Sequence, residues 1–177
     1  MRAWRACVIA IGLGVAPGFA PFAGADNSNF MSISSPDFAQ GQPIPSSSAM
    51  HGDNHSPQLL IGAVPTNAKT LVLIVDDPDS PTGLWTHWLL WNIPPDAAVI
   101  DAGKVPKDAV QGKNSFGHVR YDGPAPPSGT HRYFFRVYGL DTKLALSAGA
   151  TRSELEAAMK GHVIGSADFF GTYSAHP

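Results

Sequence analysis

Two histidines, His87 and His131, each stand at the start of a long apolar run, and each follows a loop rich in proline and glycine. Upstream of the first, residues 71–88 read LVLIVDDPDSPTGLWTHW, so that five apolar residues run into Asp76, Asp77 and Asp79, punctuated by Pro78 and Pro81. The second lies in YDGPAPPSGTHRYFF, residues 121–135, with Arg132 and Tyr133 directly after it. Carboxylates and imidazoles in such a setting can bind a metal ion or act as catalytic acids and bases. A third possibility is that the aspartates simply solvate a turn between two strands.

Metal ligation has little support in the spacing. His51 and His55 share the i, i+4 interval that would place two imidazoles on one helix face, but Gly52, Asp53, Asn54 and Pro57 disfavour a helix there. The three aspartates lack the following glycine and distal glutamate of a calcium loop. No G-x-S-x-G elbow and no GxxxxGK[ST] phosphate loop occurs. Pro78 makes the Asp77–Asp79 segment a rigid turn whose carboxylates are well placed to accept nearby backbone N–H groups. No catalytic residue, cofactor or metal site is therefore assigned.

The elements that would position these residues are mostly strands. Residues 71–75 are apolar without alternation, as in a strand buried on both faces. Residues 87–93 behave similarly, with Trp88 and Leu90 expected on one face and Leu89, Trp91 and Ile93 on the other. YFFRVYGL, residues 133–140, makes a third long strand. Glycine and proline number 18 and 16 and fall between the apolar runs, so the predicted class is mainly β: a sandwich with short peripheral helices and long Pro/Gly-rich loops. One helix has a start signal, the capping box from Thr151 to Glu154, and Gly165 is the expected stop. Residues 46–57 and 101–121 read as loops.

Taken together, DDPDSP, the HW pair beginning ten residues after Asp77, and YDGPAPPSGTHRY resemble the phosphatidylethanolamine-binding protein family, in its bacterial Raf-kinase-inhibitor-like branch. FAQGQPIP, SPQLLIGAVP, WNIPPD, GKNSFG and GHVIGSADFFGTY extend the resemblance over residues 32–173. The resemblance implies a β-sandwich whose two motifs line a small anion-accepting cavity. It places Asp77, His87, His131 and Tyr133 in the pocket, with Trp85, Tyr121, Gly123, Pro124 and Pro126 as wall and backbone, and makes the peptide before Pro81 cis. Ala125 and Arg120 stand where that branch commonly has Cys and Gly.

A carboxylate next to a bound anion would repel it, whereas one shell back it can accept from an imidazole and favour the charged ring. Asp77 is the candidate for that role; Asp79 is expected to pair with Arg132, and Asp76 to face solvent or cap a turn. The expected function is a secreted, non-enzymatic binding protein for a phosphoryl or carboxylate group, such as a phospholipid headgroup. An interaction module that inhibits a peptidase or another signalling or host enzyme is the alternative, and a hydrolase using an Asp/His pair is the third.

Residues 1–25 have the character of a secretory signal peptide: Arg2 and Arg5 precede an apolar run, and Ala23-Gly24-Ala25 offers a cleavage site. The run is shorter than the ~20 residues of a membrane span, so a periplasmic or secreted location is expected. Cys7, the only cysteine, would be lost with the leader. Residues 26–177 then form one domain, with 10 basic against 14 acidic side chains. An excess of acid argues against a nucleic-acid partner, since phosphate backbones need a concentrated basic surface.

Overall fold

The computed structural model describes residues 31–175. The expected signal peptide and its cysteine lie outside them. Strands β1 (Ser32–Ser34), β2 (Leu59–Gly62) and β5 (Val99–Ile100) form a small antiparallel sheet in the order β1-β2-β5. Strands β3 (Thr70–Asp77), β4 (Trp85–Ile93), β6 (Val110–Gln111), β7 (Thr130–Leu140) and β8 (Val163–Ser174) form the larger one, ordered β6-β4-β3-β7-β8. The one α-helix among the described residues, α1 (Arg152–Met159), covers the outer face of the larger sheet, and a 3-10 turn spans Ser46–Ser48.

This layering explains why β3 is apolar without alternation. Leu71, Leu73 and Val75 pack toward the small sheet against Ile33, Leu59, Ile61 and Ile100. Val72 and Ile74 pack the other way, against Leu155 and Met159 of α1. Every residue of β3 is buried. In β4, Trp88 and Leu90 join the first core and Leu89 and Trp91 the second, as the alternation predicts. Ile93 breaks the pattern: it lies with Trp88 and Leu90. Asn92 has a φ of 56°, and the β3–β4 register shifts between the Leu71 and Leu73 pairings, so one extra residue in β4 reverses the face on which Ile93 lies.

The helix begins with the expected capping box, in which Thr151 accepts from the Glu154 N–H and Glu154 accepts from the Thr151 N–H. It stops earlier than expected. Gly161, at φ 83°, follows the C-cap Lys160, whereas Gly165 belongs to β8, paired with Gly139. A Cβ at Gly165 would come within 2.9 Å of Pro65, so the glycine there permits close packing of a strand.

Asp76 also departs from its expected exposure. It is fully buried at the end of β3, on the helix side, where Arg136 of β7 donates to it at 2.6 Å, Thr86 at 3.2 Å, and Arg152 of α1 at close range. Burial pushes its carboxyl up and the two guanidiniums oppose that shift. The ion pairs tie the start of α1 to two strands, and leaving one member of such a set unpaired costs on the order of 3 kcal/mol.

Candidate functional site

The first-core face of the large sheet ends in polar residues instead of apolar ones. Antiparallel pairing sets Asp77 opposite Trp85, while β7 runs along the other edge of β3 and alternation sends His131, Tyr133, Phe135 and Val137 inward. His87 reaches the same face through a bulge. Val75 pairs with Trp88 but Asp76 pairs with Thr86, leaving His87 as an extra residue of β4. Thr86 consequently turns to Asp76 on the helix side, and His87 turns with Trp88 toward the core.

Each imidazole is held by its Nδ1. In His87, only 2% exposed, that nitrogen lies 2.6 Å from the carbonyl oxygen of Asp122. A carbonyl only accepts, so Nδ1 carries the proton and donates. In His131, Nδ1 lies 2.7 Å from Asp77 Oδ2, and an ionised Asp77 again makes the ring the donor. Both rings border one cavity of about 200 Å³, to which Nε2 is the nitrogen left over. The cavity is shared with Asp77, Tyr133, Trp85 and Phe116. Ser80, Pro81, Thr82, Ala125 and Pro127 form its mouth. The His87 ring stands edge-on to Tyr133 and Phe116, with centroids 5.2 and 5.4 Å away.

Burial shifts the His87 pKa below its ordinary value, outweighing the Asp122 carbonyl and the nearby carboxylates. The partner of His87 is a carbonyl in a dry setting, while Asp77, the carboxylate expected to bond an imidazole, reaches His131. The Tyr133 phenol is shifted up, by burial and then by the charge of Asp77. Its hydroxyl is buried and makes no hydrogen bond of normal geometry, although Asp77 and the Ala125 backbone are its polar neighbours. A buried hydroxyl without a partner is costly unless something completes it.

The acidic turn is shaped from within. Asp77 Oδ1 accepts from the Asp79 N–H at 2.8 Å, so one carboxylate both bends the chain and holds His131. Asp79 pairs with Arg132, accepting from its backbone N–H, Nε and Nη2 at 2.9, 2.8 and 2.7 Å. Those bonds hold its carboxyl well below the usual range, at about 2. The pair fastens the turn to β7. Within it the peptide before Pro81 is trans, not cis: Ser80 O accepts from Gly83 N–H, and a trans X–Pro bond is the lower-energy isomer by about 0.5–1 kcal/mol.

Four of the expected wall residues lie elsewhere. The Tyr121 hydroxyl donates to Ser48 O at 2.9 Å, and its ring borders a separate cleft beside Trp88. Gly123 lies against Ser48, where a Cβ would meet the carbonyl oxygen at 2.0 Å, and its N–H donates to Asn54. Pro124 accepts from Met50 N–H. Pro126 gives way to its neighbours Ala125 and Pro127, which are the loop residues at the cavity. These segments support the site from behind.

Asp122 is the functional residue that sequence reasoning missed. Its side chain is 1% exposed and accepts from Asn114, His118, Asn54 and Arg120 at 2.8, 2.7, 3.1 and 3.1 Å. Burial raises its pKa, but these donors outweigh it and the net shift is downward. The cage fixes the segment whose carbonyl orients His87. Its sequence signals were Asn114 in GKNSFG and the acid in YDGP, neither of which stands beside a histidine of the site. Among the described residues, no group of three or more His, Cys, Asp and Glu is arranged to hold a metal ion. His51 lies in a turn, not on a helix shared with His55.

Because unfolded His87 would protonate near 6.5 and the buried ring resists it, the unfolded state binds more protons below that pH. Stability should therefore fall as pH drops through and below about 6.5. His87→Gln has no ring to titrate. The gap in unfolding free energy between wild type and this variant should narrow from about pH 7.5 to about pH 5 in urea denaturation. A gap independent of pH would contradict the buried neutral ring.

The model of the phosphatidylethanolamine-binding protein family matches residues 34–174. A UPF0098 protein of Methanothermobacter thermautotrophicus is 51% identical over 135 residues, covering 73% of this chain and 89% of that protein. A crystal structure of a phosphatidylethanolamine-binding protein homologue from Chlamydia trachomatis superposes with a TM-score of 0.81 at 42% identity, covering 84% of this chain and all of that one. The YbcL protein of E. coli does so at 0.78 and 28% identity, covering 82% and 99%. Sequence and fold agree with the motifs around both histidines: this chain belongs to the phosphatidylethanolamine-binding protein family.

Proposed function

We propose that the chain is an exported, non-enzymatic binding protein whose cavity takes a small phosphoryl group of headgroup size. The observation that carries this reading is the pair of imidazoles tied by Nδ1, with both Nε2 atoms and the unspent Tyr133 hydroxyl at one cavity. Neutral His87 offers an acceptor there. The Tyr133 hydroxyl offers a donor. The complementary ligand therefore both accepts and donates, as a hydrogen phosphate monoester does, and a carboxylic acid group is the smaller version of the same chemistry. A cavity of about 200 Å³ admits such a group without the acyl chains of a lipid. The family's name supports a phospholipid headgroup as ligand class.

A non-enzymatic role is supported by how the hydroxyls are used. Ser80 and Thr82 at the mouth bond each other at 3.0 Å instead of either histidine. Export is supported by the leader-like residues 1–25. N-terminal sequencing of the exported protein should begin at Asp26, and Met1 retained there would contradict it.

Calorimetric titration with phosphoethanolamine tests the binding role. Wild type should bind, and His131→Ala should weaken the affinity at least tenfold while circular dichroism shows the fold intact. Asp77→Asn keeps the shape of the carboxylate and removes the charge behind His131, and should also weaken binding. Unchanged affinity in both variants would remove the cavity from ligand binding.

A further inference from the structure

A second cleft, of about 240 Å³, shares no lining residue with the first. Its floor is aromatic: Trp88 and Tyr121 are almost wholly buried and stand edge to face, with centroids 5.6 Å apart. Its walls carry Arg120, Lys104, Gln111 and Ser56, and no carboxylate lines it.

Arg120, Lys104, Gln111 and Ser56 each bring a donor to the cleft, beside the ring of His55 and an Asn54 amide already bonded to Asp122 and Gly123. Gln111 Oε1 accepts from the Trp88 indole N–H at 2.9 Å, which fixes the amide orientation because an indole cannot accept. The NH2 of Gln111 is left without a partner among the described residues. Arg120 gives Nε to Asp122 at 3.1 Å. Its Nη2 is 3.5 Å from His118 Nδ1, which already faces Asp122 Oδ2 at 2.7 Å, so the outer edge of the guanidinium remains unspent. The Lys104 ammonium pairs with Asp101 at 3.3 Å, and both side chains are more than half exposed. Such an exposed pair is weak, so the ammonium swings at little cost. Ser56 Oγ accepts from the Gly103 N–H at 3.1 Å, which leaves its own proton to donate.

We propose that this cleft is a second ligand site, specific for a small organic anion that sets a phosphoryl or carboxylate group against Arg120, Lys104 and Gln111 and a flat apolar body against Trp88 and Tyr121. A fork of guanidinium N–H groups suits anionic oxygens in a bidentate geometry, and the narrow aromatic floor suits the edge of a ring. A neutral ring would satisfy the floor and leave the donors unused. The inference is independent of what occupies the cavity between the histidines.

The two indoles separate the sites, because Trp85 borders the first cavity and Trp88 the second. In 1H–15N spectra of the full domain, phenyl phosphate should shift the Trp88 indole and Gln111 side-chain amide signals to saturation, benzoate should do so more weakly, and phenol should not. Arg120→Ala, at an exposed position, should weaken the Trp88 response at least tenfold, and Arg120→Lys should recover part of it; Lys104→Ala, outside the cage around Asp122, should weaken the Trp88 response and spare any Trp85 response. An absent or non-saturating Trp88 shift in wild type, an equal shift with phenol, or a response unchanged in Arg120→Ala would each overturn the proposal.

Discussion

An imidazole buried in an apolar core has to be satisfied on its Nδ1 side, and the end of the large sheet is organised around doing that twice. A lost partner for a buried polar group costs about 1–3 kcal/mol, a large fraction of a domain's net stability. His131 obtains its partner across the sheet from Asp77. His87 obtains a carbonyl, and that carbonyl is kept in place because the side chain of the same residue, Asp122, is caged by four donors. Fixing both rings by one nitrogen presents the other to the cavity without any further device.

The same constraint accounts for the acidic cluster at the end of β3. Asp76 and Asp77 are neighbours, and a strand sends successive side chains to opposite faces. Asp76 goes to the helix side, where Arg136 and Arg152 neutralise it and anchor α1. Asp77 goes to the cavity side, where it holds His131 and starts the turn. Asp79 lies beyond the strand and clamps the turn to Arg132. Three carboxylates that look interchangeable in the sequence therefore serve three separate contacts, and none of them is spent on hydration alone.

Much of this was legible because it rests on short-range rules. Unalternating β3 and the Thr151 capping box come from periodicity and capping, and the placing of Asp77, His87 and His131 around one cavity comes from the family resemblance. The features that escaped depend on backbone detail that composition does not encode. The positive φ of Asn92 turns Ile93 to the face opposite the one alternation predicts. Asp76 reads as an exposed turn residue because its cations come from β7 and α1, 60 and 76 positions away. Twelve-residue β8 contains Gly165, Ser166, Asp168 and Gly171 and has no sustained apolar run to announce it. Tyr121, Gly123 and Pro124 sit in the right loop but face its far side, since an extended segment alternates and a motif does not say which residues point inward.

If Nδ1 of each ring is committed to the protein, only Nε2 is free to meet a ligand, and long-range 1H–15N spectra of histidine-labelled protein read that directly. Without ligand, His87 should show the Nδ1-protonated tautomer. On addition of phosphoethanolamine, the Nε2 resonances of His87 and His131 should both move while their Nδ1 resonances change far less. A His87 ring protonated on Nε2 in the free protein, or Nε2 resonances that stay still while the ligand binds, would contradict it.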